Sequence, residues 1–427
     1  MSTAEHKIKF FLEKLGKSAN VPELIASIKN KSTDEHYDNE INFGRSLTDD
    51  CIEQRITKFE NMSGHPFPYL TGHKNITDKT VFEGNIENYI GLTQVPTGII
   101  GPVKVIGSAA QGSFYIPMAT TEGALIASYQ RGAKAASISG GITSVCLTEG
   151  VQRSPVFKFE NMGVLAEFLM WIVQNMEVFK RITSETSNYA KLIEVRPNIE
   201  GNSLIITFEY ETGDAAGQNM VTICTDMICD YIITNCPIKP IIWFIESNYS
   251  GDKKATAISF TTVRGKKVSA EVEIKREVVE KILRTTPDAL VKYCNASTLG
   301  SIQSGAIGAQ GHFSNGLAAI FMACGQDVAC VSEAATGITR IETTAKGDLY
   351  ACVTLPNLIV GTVGGATALP TQRECLEMMD CFGPGHSRKF AEIVAAVILA
   401  GELSITAAIS AGHFVKAHRI LGRKKSK

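Results

Sequence analysis

Four stretches, far apart in the chain, place ionisable groups where they could move protons or steady charge. In PMATTEGALIAS, residues 117–128, a single carboxylate, Glu122, sits among small and apolar residues. Such surroundings raise a carboxyl pKa and suit it to proton donation. The alternative is a first-turn glutamate in a helix over residues 122–136, favoured by the helix dipole. In NYSGDKKATA, residues 248–257, Asp252, Lys253 and Lys254 follow a turn. A lysine fixed beside a carboxylate can stabilise an oxyanion or hold an anion, whereas the plain alternative is a solvated turn. In ACGQDVAC, residues 323–330, Gln326 and Asp327 follow a long apolar run. That pattern fits a buried polar network or a catalytic group, and equally a helix cap. In AGHFVKAHRI, His413 and His418 are five residues apart, about 140° on a helical wheel, so they do not form an adjacent ligand pair.

Two glycine-rich turns add a weaker signal. GDAAGQNM, residues 213–220, runs directly into a helix, whose first amides could cradle phosphate. GTVGGAT, residues 361–367, is the second. Neither is the GxGxxG fingerprint, and no other stretch reads as a Rossmann unit.

The elements that must position these groups follow from composition and periodicity. A chain of 427 residues allows two or three domains. A formal net charge of -1 gives no global field toward nucleic acid or a membrane surface. The eleven cysteines are scattered without a CxxC, so reduced thiols are expected and zinc is not. The first twenty residues are charged throughout and lack the apolar core of a signal peptide. Near the other end, EIVAAVILAGELSITAAISA is interrupted by Glu392 and Glu402, which suits a packed helix better than a membrane span. Residues 1–60 read as polar helices, one of them starting at a Thr48 or Asp49 cap. From Glu87 the chain becomes strands and turns, then a helix, then the strand ITSVCLTEGV. Residues 155–245 run helix, strand, strand, helix, strand, the order of a small α+β sandwich inserted in a larger domain.

In this order, ENYIG, PMATTEG, GDAAGQNM, NYSGDKK, GQD, GTVGGAT and AGELS…AGHFVKAH together resemble 3-hydroxy-3-methylglutaryl-CoA (HMG-CoA) reductase, from about residue 87 to 423. The pattern is closer to the eukaryotic and archaeal branch than to the degradative bacterial one. The resemblance implies an α+β fold: an N-terminal helical segment (1–60), a large, mostly helical substrate domain (61–154 and 246–427), and an inserted ferredoxin-like cofactor domain (155–245). It implies reduction of a thioester to a primary alcohol by two hydride transfers, giving mevalonate and free CoA.

The same resemblance implies roles. Glu122 would donate a proton, and Lys253 would stabilise the oxyanion. Asp327 would hydrogen-bond to both and couple to Glu122. His418 would protonate the CoA thiolate, while His413 stays a core residue. Arg153, Asn248, Asp252 and Lys254 would surround the hydroxymethylglutaryl group, with Arg153 and Lys254 on its free carboxylate. Ser128, Arg131 and His312 would contact CoA. Ser187, Asp214, Gly217, Asn219, Met220, Gly364, Gly365 and Arg423 would contact the nicotinamide cofactor. Where the family has a basic residue for the 2′-phosphate, this chain has Asn188; Arg423 remains for that group, so NADPH is expected with NADH left open. No metal is implied. Family members of this kind are homodimers or homotetramers with the active site between subunits. The animal members' membrane anchor is missing, which implies a cytoplasmic protein with no membrane or nucleic-acid partner. Their regulatory phosphoserine is replaced by Lys424. Three substrate-side positions depart from the pattern: Glu246 stands for a serine, Ala296 for a lysine and Val331 for an asparagine. These keep two other readings open, a reductase for a different acyl-CoA and a silent CoA-thioester-binding protein.

Overall fold

The computed structural model describes residues 21–29 and 46–412. In chain order its elements are α1 (Val21–Lys29), α2 (Asp49–Ser63), β1 (Thr97–Gly107), β2 (Gln111–Ala119), α3 (Leu125–Ile138), β3 (Ile142–Arg153), β4 (Val156–Lys158), α4 (Met162–Gln174), α5 (Met176–Thr186), β5 (Lys191–Glu200), β6 (Ser203–Glu211), α6 (Gln218–Asn235), β7 (Ile242–Phe244), β8 (Gly265–Ile274), α7 (Pro287–Ser304), α8 (Phe313–Ala323), β9 (Ile338–Thr343), β10 (Leu349–Leu358), α9 (Pro370–Glu377) and α10 (Ser387–Ser410). The fold is α+β.

Strand β3 belongs to two sheets and joins them. Its first part pairs with β1 and β8, and the larger sheet runs β2–β1–β3–β8–β10–β9. Residues 151–153 then leave β8 and pair with β6. The second sheet has the order β7–β4–β6–β5, antiparallel throughout. With α4 and α5 after β4 and with α6 after β6, this is the βαββαβ, ferredoxin-like topology. It has its own core, including Phe157, Phe159, Phe168, Phe179 and Phe208. The first helix of this unit, α4, ends at Asn175, where α5 follows at a bend of 61°. The Asn175 side chain donates to the Trp171 carbonyl and accepts from the Tyr231 hydroxyl, and these bonds hold the corner.

Helix α10 organises the larger core. By length and composition it could cross a membrane, yet its middle is covered by protein on every side. A helix apolar all round is what such burial requires. Its two carboxylates have no water, so each must find donors within the protein. Glu392 accepts from the amides of Ser108, Ala109, Ala110 and Cys146 and from the Ser108 hydroxyl. Burial pushes its carboxyl up against those bonds. Glu392 thereby ties α10 to the β1–β2 turn and to β3.

Three glycines let α3, α8 and α10 close on one another. A Cβ on Gly132 of α3 would stand 1.8 Å from the Ala400 carbonyl oxygen of α10. Cβ atoms on Gly316 of α8 and Gly401 of α10 would each come within 2.4 Å of the buried Tyr129 side chain, at its hydroxyl and its ring respectively. Only a residue without a side chain permits this approach. Gly132→Ala should therefore destabilise the fold by about 1–3 kcal/mol, because the obstacle is backbone and cannot rotate away. Urea melts of the variant and the parent measure this, and an unchanged midpoint would contradict the account.

Candidate active site

The loop between β7 and β8 carries Lys253 on a chain of left-handed residues. Asn248, Gly251 and Lys253 have φ of 65°, 74° and 54°. A lysine in that region is held there by its surroundings. The Lys253 amide donates to Glu333 Oε1 at 3.1 Å, and the Lys254 amide to the Gly251 carbonyl at 3.1 Å. This presents Lys253 Nζ to Asp327 Oδ2 at 2.9 Å. The other Asp327 oxygen, Oδ1, accepts the Ala329 amide at 3.0 Å, so one carboxylate is both cap and ion-pair partner. The buried neighbour is Gln326, whose amide group is bonded to Gly361 on both sides. Asp327 itself is exposed, because the chain turns at Gly325 (φ 65°) and sends 326 inward and 327 outward. The hydrogen bond that Lys253 donates to Asp327 holds its ammonium above its ordinary pKa. Burial pushes the Asp327 carboxyl up, but the Lys253 bond and the Ala329 amide outweigh it and hold it low. Both groups are ionised at neutral pH.

Behind this pair lies a frame of buried charge. Arg153 Nη1 is 3.0 Å from Glu246 Oε2 and 3.3 Å from Asp252 Oδ2. Arg264 Nη2 reaches the other Asp252 oxygen at 2.8 Å, and its Nε reaches Glu333 Oε2 at 2.7 Å. Lys254 is exposed, and its ammonium donates to the Asp252 carbonyl at 3.0 Å. Arg264 and Glu333 carry no motif. Their only signal was a charge at a strand start, in TTVRGKK, and one among small residues, in VSEAATG.

Glu122 is held by a different set of partners. It precedes α3 rather than opening it: Ala124 adopts φ 76°, so the helix starts at Leu125. The Glu122 amide donates to the Thr120 hydroxyl, and its exposed carboxylate accepts from Asn315 Nδ2 at 3.3 Å. Asn315 lies in the first turn of α8, which Glu402 of α10 fixes. Glu402 accepts from the amides of Gly311 and His312, from His312 Nδ1 at 3.0 Å and from the Thr339 hydroxyl at 2.7 Å. Burial pushes Glu402 up, and His312, Thr339 and Gly311 more than reverse this. The His312 ring stacks on Tyr129 with centroids 5.5 Å apart. Ser128 Oγ and Arg131 Nε both donate to Ser404 Oγ of α10, each at 3.0 Å. Glu122 and Arg131 line a cavity of about 970 Å³ between α2 and α3, whose apolar wall includes Phe59, Phe67 and Ile126. Among the described residues no hydrogen bond or ion pair joins Glu122 to Lys253 or Asp327. The expected Glu122–Asp327 contact is thus not made within one chain, and the small residues beside Glu122 do not bury it there.

The structure also brings the two glycine turns together. The Thr362 amide donates to the Asp214 carbonyl at 2.9 Å, and Ala215 bridges Val363. The Asp214 carboxylate accepts the amides of Gly385 at 2.7 Å and Ser387 at 3.1 Å. Burial pushes Asp214 up, and these bonds outweigh it and hold it low. Gly217, at φ 82°, starts α6, with Asn219 and Met220 in the first turn. Gly364 and Gly365 have open space above them. Ser187 ends α5, its hydroxyl accepting the amides of Tyr189 and Ala190. His413, His418 and Arg423 lie outside the described residues.

The pair at Lys253 makes a direct prediction. Asp327→Asn removes the charge that raises the Lys253 pKa, so more of the amine is neutral at pH 9. Lys253 should then be acylated faster by an amine-reactive reagent, read by peptide mass mapping. Equal rates in variant and parent would contradict the coupling.

Comparison with known proteins follows the same residues. Residues 51–423 match the family model described as hydroxymethylglutaryl-coenzyme A reductase. The chain is 40% identical to the 3-hydroxy-3-methylglutaryl-coenzyme A reductase of Pyrococcus abyssi, over 95% of this chain and 100% of that one. It is 40% identical to the Pyrococcus horikoshii protein of the same name, over 96% and 100%. Its fold is similar to the class II 3-hydroxy-3-methylglutaryl-CoA reductase of Streptococcus pneumoniae, solved bound to NADPH. That match has a TM-score of 0.68 at 16% identity and covers 84% of this chain and 96% of that one.

Proposed function

The chain belongs to the hydroxymethylglutaryl-CoA reductase family, and from that premise we propose that it reduces HMG-CoA to mevalonate and free CoA with NADPH. The observation that carries this is the 2.9 Å ion pair between Lys253 of the DKK motif and Asp327 of the GQD motif. The nicotinamide supplies one hydride in each of two reductions. Each hydride attack leaves negative charge on the carbonyl oxygen, and a fixed ammonium there stabilises it. Lys253 is that cation, kept protonated by Asp327. Glu122 gives the proton the new hydroxyl requires, and His418 gives one to the departing thiolate, a task suited to imidazole near neutral pH.

The binding groups divide by chemistry. Ser128, Arg131 and His312 surround the CoA path beside the cavity next to Glu122. Asn248, Asp252, Lys254 and Arg153 face the acyl group. The α6 N-terminus, with Gly217, Asn219 and Met220 beside the open Gly364 and Gly365, fits a pyrophosphate. The βαββαβ unit, residues 155–245 with Ser187 and Asp214, is then the cofactor domain, and residues 61–154 and 246–427 form the substrate domain. NADPH is supported by the Streptococcus pneumoniae relative, which is solved with it. We infer that Glu122 and the Lys253–Asp327 pair, which no hydrogen bond or ion pair joins among the described residues, meet across a subunit boundary. On this reading the working unit is a homodimer or homotetramer. A cytoplasmic protein is the consistent setting, since its most apolar helix is buried in its own core.

Purified protein mixed with HMG-CoA should oxidise NADPH and release mevalonate and CoA. Silence with both NADPH and NADH would overturn the proposal. Lys253→Ala should lower turnover by about 10²-fold or more with an unchanged melting temperature. Retained turnover would refute the role given to Lys253.

A further inference from the structure

Arg153 is assigned above to the free carboxylate of the acyl group, yet its guanidinium is already engaged. Glu246 Oε2 lies 3.0 Å from Arg153 Nη1, and both side chains are withdrawn from water, Arg153 to 9% exposure and Glu246 to 19%. The cluster sets two guanidiniums, Arg153 and Arg264, against three carboxylates, Glu246, Asp252 and Glu333. Two of the three carboxylates are structural. Asp252 bridges both arginines, and Glu333 holds Arg264 and the Lys253 amide. Glu246 makes all its hydrogen bonds through one oxygen, Oε2, which meets Arg153, the Ser250 hydroxyl and the Ser154 amide. Its Oε1 and the Arg153 Nε are buried and, among the described residues, have no hydrogen-bond partner. Unsatisfied buried polar atoms on both halves of one pair mark a place that a ligand completes. The lysine expected nearby is absent as well, since Ala296 stands at its position.

We propose that Glu246 is an internal competitor for Arg153, standing where the substrate's carboxylate must bind, and that it thereby sets the affinity for acyl-CoA thioesters that carry a terminal carboxylate. This rests on the reductase reading above. An incoming carboxylate and Glu246 are like charges seeking the same Nη1 in a site that salt screens poorly. Binding requires Glu246 to swing off Arg153. The penalty falls on binding and leaves the Lys253–Asp327 pair untouched.

The test is calorimetric titration of HMG-CoA, and separately of CoA alone, into the wild type, Glu246→Gln and Glu246→Ser. Gln keeps the volume and can still accept from Ser250 and Ser154; Ser is the residue the family pattern has here. Glu246→Gln should bind HMG-CoA about tenfold or more tightly, with Ser matching it, while affinity for CoA alone is unchanged. In turnover, KM for HMG-CoA should fall by more than kcat changes. HMG-CoA binding that is unchanged or weaker in Glu246→Gln overturns the proposal. Because the readout is binding, a wild type that fails to turn over HMG-CoA would count against the reductase reading alone.

Discussion

A carboxylate buried in the middle of an apolar helix constrains everything around it. Glu402 sits one residue beyond Gly401 in α10, at 1% side-chain exposure, and must be given donors from neighbouring chain. It takes them from the segment leading into α8 and from β9. Removing one partner of such a group leaves an uncompensated buried charge, a loss of about 3–5 kcal/mol. The start of α8 is thus locked to α10, and with it His312 and Asn315. Asn315 meets Glu122, and Ser404, two residues past Glu402, holds Ser128 and Arg131. One helix therefore sets Glu122 and the groups around the cavity beside it.

Around Lys253 the determinant is charge on a loop. Lys253 sits in the left-handed region, which costs a non-glycine residue about 1–3 kcal/mol and persists only where the surroundings over-determine it. Glu333 supplies that determination by accepting the Lys253 amide, and Arg264 and Asp252 hold Glu333 and the loop in turn. The result is an ammonium on a strained but anchored backbone, aimed at Asp327. Preorganised charge of this kind needs no rearrangement when an oxyanion forms.

Much of this was legible in the sequence, and the limits have physical causes. The motifs named Glu122, Lys253 and Asp327, and the apolar run between two glutamates was rightly a packed helix. In 155–245 periodicity gave helix, strand, strand, helix, strand, but missed the three-residue strand β4 and the second helix α5. The partners of the motif residues could not be read, because Asn315, Glu333, Arg264 and Glu402 reach them only through contacts between distant segments. Local backbone was also hidden. Nothing in TTEGAL shows that Ala124 turns left-handed and delays the helix past Glu122, and nothing in ACGQD shows that Gly325 turns Asp327 out to solvent. The family resemblance supplied the substrate and cofactor, and it also exposed Glu246 as a departure whose meaning became visible only beside Arg153.

The central claim is that the site is completed by two chains, with Glu122 from one and the Lys253–Asp327 pair from another. The most direct measurement mixes Glu122→Gln chains with Lys253→Ala chains, by co-expression or by unfolding and refolding together. Each variant alone should be inactive. Random pairing across a two-fold interface should regain about a quarter of the wild-type activity, because a mixed dimer rebuilds one intact site of its two. A mixture as inactive as its two components would contradict the account and place all the catalytic groups in a single chain.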